Sequence, residues 1–378
     1  MKLTKQQLAI TLLFFSFLNC TSKIRDGSAT TLKEALAGKF LIGTALNSNQ
    51  IWEKDTLAVK VITQQFDAIV AENCMKSMYL QPKEGEFYFD EADRFAAFGE
   101  KNNLFITGHC LIWHSQAPKW FFTDAQGKEV SKEVLIERMK NHITAVVSRY
   151  KGSIKGWDVV NEALNDDGTY RNSKFYEIIG EDFIPLAFRF AHEADPDAEL
   201  YYNDYNEWHV GKREAIVKMV KSLKEKEIRI DAVGMQGHIG MDYPGLDEYQ
   251  TAIDAYAAEG VKVMVTELEL SALPTPRRNV GANIADIEAY NKEMNPYTEG
   301  LPDSAAEAWT NRMTDFFKLF INNKDKITRV TLWGVTDADS WKNNFPMPGR
   351  TDYPLLFDRN YRPKAVVKQI IDMANDRK

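Results

Sequence analysis

A chain of 378 residues is long enough for one large domain or two small ones, and length alone does not choose between them. Its hydrophobic share of 44% against 27% charged residues is that of a soluble globular protein with a sizeable core. The excess of 54 acidic over 47 basic residues leaves a net charge of −7 with no basic cluster. That balance argues against nucleic acid or an anionic membrane surface as a partner.

In chain order, the first element is a targeting segment. Lys2 and Lys5 precede a short apolar run from Leu8 to Leu18, which reads as a secretory signal over residues 1–20 and is too short for a good membrane span. The run ends at Cys20, where a bacterial lipoprotein would carry its lipid, although "FLN" before it is a poor version of that box; plain cleavage nearby is the alternative. Either way the expectation is export, as a secreted protein or as a surface lipoprotein anchored through Cys20. A polar tether, 21–32, follows. Beyond it there is no linker, low-complexity tract or composition break, so 33–378 reads as one domain, with a monomer as the default. Cys74 and Cys110 read as two buried thiols, since two cysteines make no disulfide framework.

Within the domain, short β-rich runs recur. They are "FLIGTAL" from Phe40, "CMKSMYL" from Cys74, "LFITGH" from Leu104, "IKGWDVV" from Ile154, "ELYYND" from Glu199, "DAVGMQGH" from Asp231, "VKVMVTE" from Val261 and "RVTLWGV" from Arg329. Helical patterns lie between them. The clearest opens at Ser131, a capping residue, and puts Leu135, Met139, His142, Ile143, Val146 and Tyr150 on one apolar stripe. Eight strands alternating with helices predict an α/β fold of the (β/α)8 TIM-barrel type. A doubly wound open sheet is the runner-up, but no glycine-rich phosphate turn follows the first strand. The longest connection, 271–304, holds four prolines and reads either as a wall of a cleft or as a surface excursion.

In such a barrel the site lies at the C-terminal ends of the strands, and here those ends are rich in polar and aromatic groups. They include Glu72, Asn73 and Lys76, then His109, Trp113, His114 and Gln116, then Asp158, Asn161 and Glu162. "NDYN", Gln236 with His238, Glu267 with Glu269, and Trp333 with Trp341 complete the set. Any one of these has a structural explanation, but all strand ends furnished alike are hard to explain that way. His109, His114 and His238 lack the close fixed spacing of a tight zinc site, and no G-x-S-x-G elbow is present, so neither a metal nor any other cofactor is expected. Two glutamates on separate strands suit glycoside hydrolysis, in which one carboxylic acid protonates the leaving oxygen and a carboxylate attacks or stabilises the anomeric carbon. The strand period of two puts Glu267 and Glu269 on one face and Gln236 and His238 on another, on neighbouring strands.

These residues are recognisable. "ENCMK", "GHCLIWHSQAPKWF", "WDVVNEAL", "LYYNDYN", "VGMQGH", "VTELEL" and "LWGVTDADSW", in that order, resemble glycoside hydrolase family 10, the retaining endo-β-1,4-xylanases, from about Leu32 to the C-terminus. "NPYTEGLPDS" also looks like a stretch common in bacterial members. The resemblance implies Glu162 as acid/base and Glu267 as nucleophile, with carboxyls about 5–5.5 Å apart, as in retaining pairs. It implies Asn161 at the 2-hydroxyl of the reacting sugar, with His109, Gln236 and His238 around it. Glu72, Asn73, Lys76 and Gln116 would bind the next sugar on the non-reducing side. Trp113, Trp333 and Trp341 would line these subsites, crowding the space of a glucose hydroxymethyl, and Tyr205 would stack at the leaving-group side. The substrate implied is xylan and its oligosaccharides.

One departure stands out. The family usually has "TELD"; here Glu269 takes the place of the aspartate that supports the histidine beside the nucleophile. The extra methylene keeps the charge and displaces it, so activity with an altered pH profile is expected. Two alternatives stay open at this level: another β-1,4-glycanase, and a non-catalytic xylan-binding surface protein.

Overall fold

The strands form a closed ring. A computed structural model describes residues 30–276 and 280–376; the signal segment and most of the tether expected from the sequence lie outside the described residues. The strands are β1 (Leu41–Leu46), β2 (Ala68–Ala71), β3 (Phe105–Trp113), β4 (Gly156–Asn161), β5 (Glu199–Asp204), β6 (Ala232–Met235), β7 (His238–Gly240), β8 (Lys262–Ser271) and β9 (Ile327–Leu332). They pair in parallel from β1 through β6, β8 pairs with both β6 and β9, and β9 returns to β1. The closing pairs exclude an open sheet. β7 continues β6 after a break at Gln236 and Gly237 and runs along the same neighbour, β8, so eight staves make the wall. The molecule is a single-domain (β/α)8 barrel.

The expected second strand is misplaced. The run from Cys74 to Leu80 is a loop and a single helical turn, Ser77–Leu80, and the strand lies just before it, at Ala68–Ala71. Four residues with alanine at both ends carry little β signal of their own, yet every one is buried, as a stave covered on both faces requires. Cys74 and Met75 are apolar because the loop folds back onto the body. The folded body begins slightly earlier than the expected boundary at 33, since Leu32, Ala35 and Leu36 of the helix Leu32–Leu36 are in the core.

Helices pack outside the ring. In Lys132–Arg149 the Ser131 hydroxyl accepts from the Val134 amide at 3.4 Å, and Leu135, Met139, His142, Ile143 and Val146 are buried as the stripe predicts. Burying each large apolar side chain of this layer contributes about 1.5–3 kcal/mol before conformational entropy is counted. The barrel interior is filled, not hollow. Near its N-terminal end Tyr201, Ala232 and Met264 pack together, with the Arg329 guanidinium over the Tyr201 ring. Nearer the other end Ala45, Val70 and Trp333 pack with Trp341. Cys74 and Cys110 are buried free thiols.

Candidate active site

The residues singled out in the sequence gather at the C-terminal ends of the strands. A pocket there is lined by Glu72, Asn73, Lys76, His109, Trp113, Gln116, Asn161, Glu162, His238, Glu267, Trp333 and Trp341, together with Ala282 and Ile284. Twelve of the fourteen lining residues are those singled out in the sequence.

Glu162 follows β4. Its backbone is left-handed, with φ of 56°, a conformation costing a residue with a side chain on the order of 1–3 kcal/mol. The neighbours hold it there: the Glu162 amide donates to the Asn203 carbonyl at 2.9 Å, and Arg171 Nε donates to the Glu162 carbonyl at 3.0 Å. One carboxylate oxygen accepts from Trp113 Nε1 at 2.9 Å, the other from Gln236 Nε2 at 3.0 Å and Asn161 Nδ2 at 3.3 Å. Burial holds this carboxyl above the usual carboxylate range, and repulsion from Asp204 and Glu267 adds to the rise.

Glu267 reaches the pocket through an irregularity in β8. Met264 points into the barrel beside Tyr201, and Thr266 Oγ1 donates to Asn203 Oδ1 at 2.6 Å. Strict alternation would then turn Glu267 outward. The register of β8 on β9 shifts between Val265 and Leu268, and Glu267 follows Thr266 to the inside. There Glu267 Oε1 accepts from Asn203 Nδ2 at 2.9 Å, and Oε2 meets His238 Nε2 at 3.1 Å. Burial works against the charge of Glu267. The hydrogen bond and charge of His238, with help from His109 and Asn203, outweigh it and bring the carboxyl below its ordinary value.

His238 stands between two carboxylates, with Nδ1 at 2.7 Å from Glu269 Oε1. Desolvation opposes its charge, but the bonds to Glu267 and Glu269 prevail and its pKa is raised. Glu269 is fully buried and also accepts from Trp341 Nε1 at 2.6 Å and Ser340 Oγ at 3.3 Å, with Lys342 Nζ at 3.7 Å. The longer side chain therefore keeps the histidine contact expected of an aspartate.

Around this centre His109 Nδ1 pairs with Asp158 Oδ2 at 2.9 Å, and its ring meets Trp333 edge-on at 5.3 Å. Lys76 Nζ donates to Asn73 Oδ1 at 3.0 Å and lies 4.9 Å from the centre of the Trp113 ring. Burial raises the Glu72 carboxyl, with Lys76 opposing it. Two of the expected residues do not line the pocket. Gln236 stands behind Glu162, and Tyr205 lies to one side with its hydroxyl accepting from Arg171 Nη2 at 2.8 Å. His114, weighed as a metal ligand, also points away from the pocket, and among the described residues no cluster of His, Cys, Asp and Glu is arranged to hold a metal ion.

Four further residues contribute to the site. Asn203, within the quoted "NDYN", joins Asn161, Thr266 and Glu267. Asp158, a strand-end carboxylate in the sequence, proves to be the partner of His109. Arg171 and Ile284 lie in loops with no periodic signal of their own.

The profile of glycosyl hydrolase family 10 matches residues 31–373. The chain belongs to this family. As a family 10 protein it is a glycoside hydrolase. Endo-1,4-beta-xylanase A of Xylanibacter ruminicola is 54% identical over 91% of this chain and 93% of its own. An endo-1,4-beta-xylanase of Geobacillus stearothermophilus is 40% identical over 92% of this chain and 99% of its own. Among solved structures, a family 10 endoxylanase from a sugarcane soil metagenome superposes with a TM-score of 0.87 at 44% identity, over 90% of this chain and 99% of that one.

Proposed function

We propose that this family 10 hydrolase is a retaining endo-β-1,4-xylanase, with Glu162 as acid/base and Glu267 as nucleophile. The observation that carries the reading is the pair of carboxyls, one just after β4 and one within β8, in one pocket, with protonation tendencies pushed in opposite directions. A raised Glu162 keeps its proton for the departing oxygen, while a lowered Glu267 is ionised and ready to attack the anomeric carbon. Once Glu267 is esterified its charge is gone, so Glu162 ionises more easily and can take a proton from water as general base. Asn161 and Asn203, bonded to each other and to the two glutamates, provide a polar floor for the sugar 2-hydroxyl. Trp333 and Trp341 close the pocket where a hydroxymethyl group would project, which favours xylose over glucose.

Export, as a secreted protein or one attached to the surface through Cys20, is the proposed location, and a monomer the proposed working state. Xylan presented outside the cell is consistent with a polymer-cutting enzyme.

The wild-type chain is expected to release reducing ends from xylan and not from cellulose. Glu162→Ala is expected to keep activity on aryl xylosides with good leaving groups and to be rescued by azide, whereas Glu267→Ala loses both substrates. Release from cellulose would point to a broader β-1,4-glycanase, no release at all to a binding protein, and a Glu162→Ala variant dead on activated substrates would show the role assignment to be wrong.

A further inference from the structure

The long connection after β8 is tied down at both sides of the pocket. Near its start the Val280 carbonyl accepts from Asn206 Nδ2 at 3.0 Å. Gly281 has φ of 104° and lies so close to Tyr205 that a Cβ there would sit 2.7 Å from the ring. Further on, the Glu288 amide donates to the Pro346 carbonyl at 2.7 Å, and the Asn291 amide contacts Met347 Sδ at 2.7 Å, in the loop after Trp341. The chain thus crosses from the Tyr205 side to the Trp341 side, and between these anchors Ala282 and Ile284 line the pocket.

Exposure separates Ile284 from the other lining groups at the reaction centre. Glu162 and Glu267 are each 5% exposed, His238 2% and Trp333 9%, whereas Ile284 is 42% exposed. The buried groups surround the deepest sugar position. An apolar side chain that belongs to the same pocket yet keeps so much open surface stands at its mouth. Ala282 is buried, and Gly281 beside it packs against Tyr205 and Asn206; Tyr205 shares Arg171 with Glu162, the proposed acid that protonates the leaving oxygen, so this part of the strap lies on the leaving-group side.

We propose that Ile284 is a specificity-determining residue for the leaving group: its side chain packs on the apolar face of the xylose unit just beyond the bond that is cut. The proposal rests on the xylanase reading above. A sugar ring has polar edges and apolar C–H faces, and an aliphatic surface held at the pocket mouth contacts the latter without demanding a hydrogen bond. Because the strap is anchored on either side, the contact is in place before substrate arrives.

The test compares two substrates that share the non-reducing side and differ beyond the scissile bond. β-Xylobiosyl fluoride departs as fluoride and offers no sugar to Ile284; xylotetraose cut at its centre does. For Ile284→Ala the ratio of kcat/KM for xylotetraose to that for the fluoride is expected to fall about tenfold, the lower end of what removing apolar contact from a site does. Ile284→Leu is expected to restore most of the ratio, and an unchanged melting temperature for both variants shows that folding is not the cause. Equal loss on both substrates, or no change on either, overturns the proposal. Failure of the wild-type chain on both substrates would instead overturn the xylanase reading, and this inference with it.

Discussion

Glu269 shows what one extra methylene does in a buried network. Its carboxylate faces His238 at 2.7 Å and Trp341 Nε1 at 2.6 Å, so the histidine beside the candidate nucleophile and one wall of the sugar pocket share a single acceptor. Removing its charge takes away one of the two carboxylates that hold a proton on His238. Glu267 then loses much of the positive partner that lowers its pKa. Glu269→Gln is therefore expected to move the acid limb of kcat/KM to higher pH and to lower the optimum roughly 10- to 100-fold, the kinetic equivalent of one charged hydrogen bond. Glu269→Asp, which restores the residue usual in the family, is expected to stay within a few-fold of wild type. A pH–rate profile of Glu269→Gln that superposes on the wild type would show that the histidine is held by Glu267 alone. The alkaline limb belongs to Glu162, whose raised carboxyl must stay protonated to act as an acid.

At the scale of strands and loops, short β-rich runs reveal most of the barrel because seven of its eight staves carry enough β-branched and aromatic residues to stand out. β2 did not, since four buried residues with alanine at both ends are held by their neighbours and not by local preference. The glutamates and histidines were legible as strand ends, but their joint orientation was not. Glu267 faces the pocket only because β8 slips between Val265 and Leu268, and a register shift of one residue leaves no trace in composition. The strap that carries Ile284 was legible as a long connection, and only the fold shows that it crosses the pocket. Close packing of neighbouring strands is equally hidden in sequence. A Cβ on Gly108 of β3 would lie 2.1 Å from the ring of Trp157 on β4, which is itself buried. Gly108→Ala is expected to cost at least the 1–3 kcal/mol typical of overpacking, read as a lower denaturant midpoint at unchanged slope. A midpoint equal to wild type would mean that Trp157 has room to move.

The whole molecule carries many ionisable groups away from water, and their signs compete. Burial raises Asp67 and Asp337 to about 6, and raises Glu72, Glu162, Glu207 and Asp339 as well. A carboxyl raised on folding favours the folded state at low pH and loses that contribution as pH climbs through its folded value. Burial lowers His114 to about 3 and His142 to about 4, and histidines of this kind favour folding above their ordinary range and lose it on acidification. The carboxyls outnumber the histidines between neutrality and mild acid. Below that range the carboxyls are protonated in both states, while the histidines, Glu267 and Asp93 still oppose acid. The melting temperature is expected to be higher at about pH 5 than at about pH 7.5 or about pH 3; a maximum at pH 7.5 would show that the histidines dominate. The left-handed backbone at Glu162 adds a different consequence. The position combines a strained conformation with a desolvated carboxyl, and glycine would relieve both at once. Natural drift or a laboratory screen that rewards heat resistance alone would thus favour losing the proposed acid, so any search for hardier versions of this protein has to select for turnover at the same time.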